Sequence, residues 1–219
     1  MSDTQAPGFE AAPPPGNPLP AELSGRWAIT GVSPSVLGGR RPAAAVVGEH
    51  IPVRATCFRE GHDAIGAHVV LRDPSGQVHT RTRMRPSGDG LDGWHGSFRP
   101  DAMGDWTFDI EAWGDPWGTW AHRAGIKIPA GIDVELELLE GALLLHQAAD
   151  ALPAHCRVER EHLLVAGRTM RSPALPVAVR YAASTDPQVV RILDAYPLRE
   201  QVTCSGPWPL RVQRRRALV

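Results

Sequence analysis

The stretch Asp105-Trp106-Thr107-Phe108-Asp109-Ile110-Glu111-Ala112 sets Trp106, Phe108, Ile110 and Ala112 on one face and acidic or hydroxyl residues on the other. Successive side chains of a strand point to opposite faces, so a period of two is the mark of a strand with one solvated side. The pattern recurs on either side of this stretch. Ile51, Val53, Ala55 and Cys57 alternate with Arg54 and Thr56, and Ala67, Val69 and Leu71 with His68 and Arg72. Val78, Thr80, Thr82 and Met84 alternate with His79, Arg81, Arg83 and Arg85, and Trp120, His122, Ala124, Ile126 and Ile128 with Arg123 and Lys127. Turn formers separate the runs: Asp73-Pro74-Ser75-Gly76, Pro86-Ser87-Gly88-Asp89-Gly90 and Asp101-Ala102-Met103-Gly104. About seven short strands with no helix between them predict a mainly β fold. The expected architecture is an immunoglobulin-like antiparallel β-sandwich over residues 25–130.

The period changes after Gly131. Asp133 is positioned to cap a helix carrying Val134, Leu138, Ala142, Leu145 and Ala149 on one face, and Pro153 ends it. Over 154–171 the expected apolar side is Val158, His162 and Val165, with Arg157, Glu159, Arg160 and Glu161 exposed. Pro173 and Pro176 punctuate the chain. Asp186-Pro187 then pairs an N-cap residue with proline at the first helical position, starting a helix through Val190 and Leu193. Together these predict a small helical subdomain over 131–200. Leu210 and Val212 suggest a strand returning to the sandwich within 201–219. Residues 1–24, with Pro13, Pro14, Pro15, Pro18 and Pro20, read as a flexible leader.

Composition excludes several classes of function. The 23 basic and 24 acidic residues nearly cancel, which argues against nucleic-acid binding by phosphate neutralisation. No apolar run reaches the roughly 20 residues of a membrane span, and the acidic, proline-rich N-terminus is unlike a signal peptide. Cys57, Cys156 and Cys204 lack the spacing of a disulfide or zinc framework and read as reduced thiols of a cytoplasmic protein. No phosphate-binding glycine loop, nucleophile elbow or HExxH motif occurs. No catalytic residue, cofactor or metal is expected.

Three groups of residues could bear chemistry. Arg59-Glu60-Gly61-His62-Asp63, with His68 nearby, offers metal-ligand or acid/base types, but adjacent residues in one short loop do not by themselves converge on a point. Trp113, Trp117 and Trp120 surround Asp115-Pro116 and could stack against the apolar faces of an α-glucan or contact a partner. The alternative is a sandwich corner whose indoles fill the core. Arg81, Arg83 and Arg85, and Arg214, Arg215 and Arg216, read as a solvated strand face and a charged tail.

Several segments together resemble a known family. They are Gly39-Arg40-Arg41-Pro42-Ala43 into Ala45-Val46-Val47-Gly48-Glu49, Phe58 to Asp63, Trp106-Thr107-Phe108 to Trp113, Asp115-Pro116-Trp117 with Trp120, and Ile126-Lys127-Ile128-Pro129-Ala130-Gly131. Asp133-Val134-Glu135-Leu136 and Glu140-Gly141-Ala142 follow in the same order. From about Trp27 to Leu218 the chain resembles the N-terminal region of bacterial α-1,4-glucan:maltose-1-phosphate maltosyltransferase. The resemblance implies a β-sandwich followed by a helical insertion, both associated with the contact of a cytoplasmic homodimer. It further implies an enzyme that elongates α-1,4-glucan from maltose 1-phosphate with release of phosphate. The retaining chemistry, with an Asp nucleophile and a Glu acid/base, belongs in that family to an α-amylase-type (β/α)₈ barrel further along the chain. The family pattern continues beyond Arg214-Arg215-Arg216-Ala217-Leu218, whereas this sequence ends at Val219. The expectation is an accessory, structural or dimerising part that is inactive alone. The alternatives are a stand-alone α-glucan-binding module and a protein-interaction module.

Overall fold

The computed structural model describes residues 27–59, 61–88 and 90–215. The leader predicted over 1–24 lies outside the described residues, as do Glu60, Asp89 and Arg216.

The strands are β1 (Ala28–Ser33), β2 (Ala43–Val46), β3 (Ile51–Phe58), β4 (Ile65–Arg72), β5 (Val78–Arg83), β6 (Arg85–Pro86), β7 (Gly93–Phe98) and β8 (Gly104–Gly114). Helices α1 (Pro116–Lys127), α2 (Val134–Ala151), α3 (Arg157–Met170), α4 (Val177–Ala182) and α5 (Pro187–Ala195) follow, and β9 (Glu200–Gln213) closes the chain. The strands form two sheets, one in the order β1-β3-β7-β6 and one in the order β2-β9-β8-β4-β5. The fold is thus mainly β with added helices, and the returning tail strand is present, longer than its two apolar residues suggested. One pairing departs from an all-antiparallel sandwich: β2 lies parallel to β9, from Ala43 opposite Leu210 to Val46 opposite Gln213.

The inner faces of the two sheets meet in one core, where Val53, Leu71, Met84, Phe108 and Ile110 are fully buried. Strand β3 buries every second residue, as its sequence period requires. Strands β4 and β8 bury nearly all of theirs. As central strands of the five-stranded sheet they are covered on the outer face too, by side chains that sequence alternation does not reveal. A second core lies among the helices, built on Trp120, Leu138, Leu145, Leu163, Met170 and Ile192. Each such buried side chain contributes roughly 1.5–3 kcal/mol.

Three local expectations are overturned. The strand read over Trp120–Ile128 is helix α1. Asp115 caps it by accepting the Gly118 N–H at 2.9 Å, and Pro116 follows at the first helical position. Trp120, Ala124 and Ile128 are its buried residues, while His122 and Ile126 are exposed. In α3 the buried side is Leu163, Ala166, Gly167 and Met170, whereas Val158, His162 and Val165 face solvent. Gly167 lies on that side against α2, where a Cβ would stand at an ordinary 3.4 Å from the Ala142 carbonyl oxygen. Asp133 precedes α2, but its backbone is left-handed (φ 50°) rather than extended, and its side chain makes no capping bond. The carboxylate instead accepts from Lys127 Nζ at 2.9 Å. By contrast Asp186 does cap α5, accepting from the Gln188 and Val189 N–H groups at 2.8 and 3.4 Å.

One glycine seats the helical core. A Cβ on Gly141 would lie 2.2 Å from Trp120 Cζ2 and 2.6 Å from Met170 Cε. The Trp120 indole is held there by its Nε1–H donating to the Glu137 carbonyl at 2.8 Å. Gly141→Ala is therefore expected to destabilise by about 1–3 kcal/mol through overpacking. Gly125→Ala, also in a helix but with only an ordinary 3.5 Å contact to the Tyr181 hydroxyl, is expected to stabilise by up to about 1 kcal/mol. Urea midpoints of the two variants check the opposite signs.

Candidate functional site at the seam between sheet and helices

Strand β8 gives way to α1 at Asp115, and this residue ties the two parts together. Its N–H donates to the Ala64 carbonyl at 2.9 Å. One carboxylate oxygen accepts from Gly118 N–H and the other from Arg83 Nη2 at 3.0 Å. The Thr119 hydroxyl accepts the Ala64 N–H at 2.8 Å and donates to the Asp115 carbonyl at 3.0 Å. The short run Ala64-Ile65 is thereby fastened to the first turn of the helix.

The three tryptophans named from sequence separate across this junction. Trp113 is fully buried on the sheet, lying on Gly66, where a Cβ would stand 2.4 Å from its Cε2. His68 packs on its ring at a centroid distance of 4.5 Å, and the guanidinium carbons of Arg83 and Arg199 stand 5.0 and 5.6 Å from its centroid. Trp120 is buried among the helices. The structure brings Trp117 to it, with centroids 4.5 Å apart and planes tilted by 37°, and Trp117 stays half-buried. The faces of Trp113 and Trp120 are covered by the protein, so the three indoles do not form one open stacking surface.

The arginines read as a solvated strand face are instead paired. Arg81 donates to Glu111 at 3.2 Å, Arg83 to Asp115, and Arg85 to Asp194 of α5 at 2.7 Å. Arg199 reaches the other Glu111 oxygen at 2.9 Å. Strand register explains the grouping: on the outer face of the sheet Arg83 of β5 stands opposite His68 of β4, which stands opposite Glu111 of β8. His68, Glu111, Asp194 and Arg199 were not singled out as a group from sequence, because only the register places them side by side. Beside this row lies a cleft of about 650 Å³ lined by His68, Arg81, Arg83, Tyr196, Arg199 and the end of α2. A second cleft of about 510 Å³ is lined by Trp27, Arg59, Asp115, Arg123 and Glu140. Gln147 and Glu200 line both.

His68 is 5 % exposed. Burial, then the charges of Arg83, Arg199 and Arg81, push its pKa down to about 3, so the imidazole is neutral at neutral pH. Burial likewise pushes the Cys57 thiol up to about 12, which leaves it an unreactive core side chain.

In the loop after β3, Arg59 lies 4.9 Å over the Trp27 ring and donates to Asp63, while His62 is exposed. Glu60 falls outside the described residues. Among the described residues no group of three or more His, Cys, Asp or Glu side chains is arranged to hold a metal. Arg214 and Arg215 are exposed beyond β9.

Helix α2 presents a different kind of surface. Leu136, Leu139 and Leu143, spaced three and four residues apart, lie on the face opposite its buried side and are 51 %, 42 % and 55 % exposed. Leu143 continues into a groove with His146, Leu164, Arg168 and Arg171 of α2 and α3. Among the described residues no helix is long and apolar enough to cross a membrane.

Comparison with known proteins is consistent along the chain. Residues 25–214 match the family model described as α-1,4-glucan:maltose-1-phosphate maltosyltransferase, domain N/S. The chain is 50 % identical over 194 residues to α-1,4-glucan:maltose-1-phosphate maltosyltransferase 1 of Streptomyces coelicolor, covering 89 % of this chain and 28 % of that protein. It is 39 % identical over 210 residues to the maltosyltransferase of Mycolicibacterium smegmatis, covering 83 % of this chain and 30 % of that one. To that of Corynebacterium glutamicum it is 38 % identical over 208 residues, covering 90 % and 30 %. The chain thus spans less than a third of the length of these relatives.

The neutral, buried state of His68 has a consequence for acid stability. Unfolded, the imidazole binds a proton near pH 6.5; folded, it does so only near 3. Between those values the unfolded state holds more protons, so stability falls as the pH is lowered through that window. His68→Phe, which keeps a ring against Trp113, is expected to remove this part of the slope. Guanidinium midpoints of both proteins at stepped pH measure it.

Proposed function

Because this chain belongs to the α-1,4-glucan:maltose-1-phosphate maltosyltransferase family, domain N/S, we propose that it is the accessory, dimer-forming part of a cytoplasmic enzyme that elongates α-1,4-glucan from maltose 1-phosphate. The retaining chemistry of such an enzyme, in an α-amylase-type barrel, lies outside the segment shared with the relatives. The part played by these residues is to shape the subunit and pair it with a second copy. The observation that carries this reading is the leucine face of α2. Leu136, Leu139 and Leu143 form an exposed apolar row on a helix whose other side is already packed, and such a row is stabilised when a partner covers it. A symmetric contact of one patch with its own copy is the commonest way in which soluble chains cover such a face.

The chain is expected to sediment as a dimer at micromolar concentration, and Leu139→Glu with Leu143→Glu to convert it to a monomer with unchanged far-UV circular dichroism, since both leucines are exposed. A wild-type chain that stays monomeric at high concentration, or a dimer indifferent to the two glutamates, would count against the pairing. The chain alone is expected to release no phosphate from maltose 1-phosphate; turnover above background would overturn the accessory role. Titration with maltoheptaose is expected to leave tryptophan fluorescence unchanged. A saturable change would favour a glucan-binding module acting through Trp117, the half-buried indole of the three.

A further inference from the structure

We propose that the cleft between the outer face of the five-stranded sheet and the end of α5 is a binding site for a phosphate-bearing small molecule, held by Arg81, Arg83 and Arg199 over His68. This goes beyond the dimer-forming role and does not depend on it.

Donors outnumber acceptors on this wall. Each guanidinium has five N–H groups, yet among the described residues Arg81 bonds through Nη2 alone, to Glu111, Arg83 through Nη2 alone, to Asp115, and Arg199 through Nη1 alone, to Glu111. Arg83 Nη1 is buried without a partner, and so is His68 Nδ1, on a side chain that is 5 % exposed and lines the cleft. Buried polar atoms are ordinarily satisfied, so Arg83 Nη1 and His68 Nδ1, with Trp113 Nε1 beside them, leave the cluster just behind this wall short of acceptors. The neutral imidazole supplies one N–H as a further donor, the tautomer being set by whatever acceptor sits at Nδ1.

Charge points the same way. Three fixed positive charges face the cleft, and the carboxylates they engage are two, Glu111 and Asp115. On the opposite wall Asp194 is already held by Arg85, and Glu200 lies exposed at the rim. In formal charge Glu200 balances the third guanidinium from the exposed rim, and the three guanidiniums keep unspent N–H groups in planar forks. Such forks match the tetrahedral oxygens of a phosphate group better than they match a single carbonyl. At about 650 Å³ the cleft holds more than the bare ion, so free phosphate and a phosphate monoester both fit it. Burial first, and the nearby charges of Arg83, Arg199 and Arg81 after it, hold His68 neutral, and a bound dianion would offset the second of these.

The test is a ¹⁵N-HSQC and calorimetric titration of the full chain at constant ionic strength, with inorganic phosphate in one arm and glycerol 2-phosphate in the other, and chloride as the reference. The expected result is saturable binding of at least one of them with Kd of about 1 mM or tighter. The Trp113 Nε1–H resonance should move with the same midpoint, because Arg83 and Arg199 stand over that ring. Whichever arm binds more tightly identifies the free ion or the ester as the better ligand. Arg81→Gln and Arg199→Gln are each expected to weaken binding about tenfold, the cost of one charge-assisted contact. Each leaves the other arginine on Glu111, so the buried carboxylate keeps a partner. Arg199→Lys, which retains the charge without the fork, serves if the glutamine variant fails to fold, and should also weaken binding. Arg211→Gln, on the exposed pair with Asp105, should leave it unchanged. Absence of saturation up to 20 mM in both arms, or equal affinity in wild type and the Arg81 and Arg199 variants, would overturn the proposal.

Discussion

Everything beyond the sandwich hangs from the carboxylate of Asp115. One oxygen turns the chain into a helix by taking the Gly118 N–H, and the other holds Arg83 of the outermost strand of the five-stranded sheet. Its backbone is meanwhile tied to Ala64 through both Asp115 N–H and the Thr119 hydroxyl. A strand that ended without such a cap would leave the first N–H groups of α1 without an intramolecular acceptor in a partly buried corner beside the sheet. The cap therefore does more than start a helix: it fixes where α1 leaves the sheet. The positions of α2 and α3 follow from α1, because Trp120 on its inner side is the ring against which Gly141 and Met170 pack.

The sandwich was legible because its strands are half-buried. In β3 the alternation of buried and exposed residues matches the alternation of apolar and polar ones, residue for residue. The same signal misled at Trp120, Ala124 and Ile128, which are four residues apart and so fit both a period of two and one turn of helix. The discriminating feature was not in the apolar residues but before them, in Asp115-Pro116. That is the same N-cap and proline pair that correctly marked α5 at Asp186-Pro187. In α3 Val158 and Val165 face solvent. The buried side follows Leu163, Ala166 and Met170, three and four residues apart, with Gly167 beside them against α2.

The candidate site was less legible, for a reason of geometry. A strand sequence shows which side chains share a face of that strand and nothing of which strand lies beside it. Arg81 and Arg83 alone look like a solvated edge. Set against His68 and Glu111 by the register, they become a partly buried network whose carboxylates come from β8 and the start of α1. Burial of the tryptophans is hidden in the same way. Trp113 is covered because Gly66, its cross-strand neighbour, has no side chain and leaves room for the indole to lie on the strand. An aromatic cluster in sequence is equally compatible with an open platform and with two filled cores; here the indoles divide between the sheet and the helices.

The distribution of charge and apolar surface then makes sense of α2. A charged seam between sheet and helices is a costly way to join two parts, since each ion pair gives up hydration for a directional contact. An apolar seam would hold them more strongly but would let them slide, because hydrophobic contact is non-directional. Forked contacts such as Arg85 with Asp194, and the pair of arginines on Glu111, set orientation instead of adding much strength. With orientation fixed by charge, apolar area is left over on the far side of α2, where Leu136, Leu139 and Leu143 meet solvent. The same helix is thus anchored on one side by Leu138, Ala142 and Leu145 and presented on the other. In the proposed pairing, that exposed row is the face that a second copy covers.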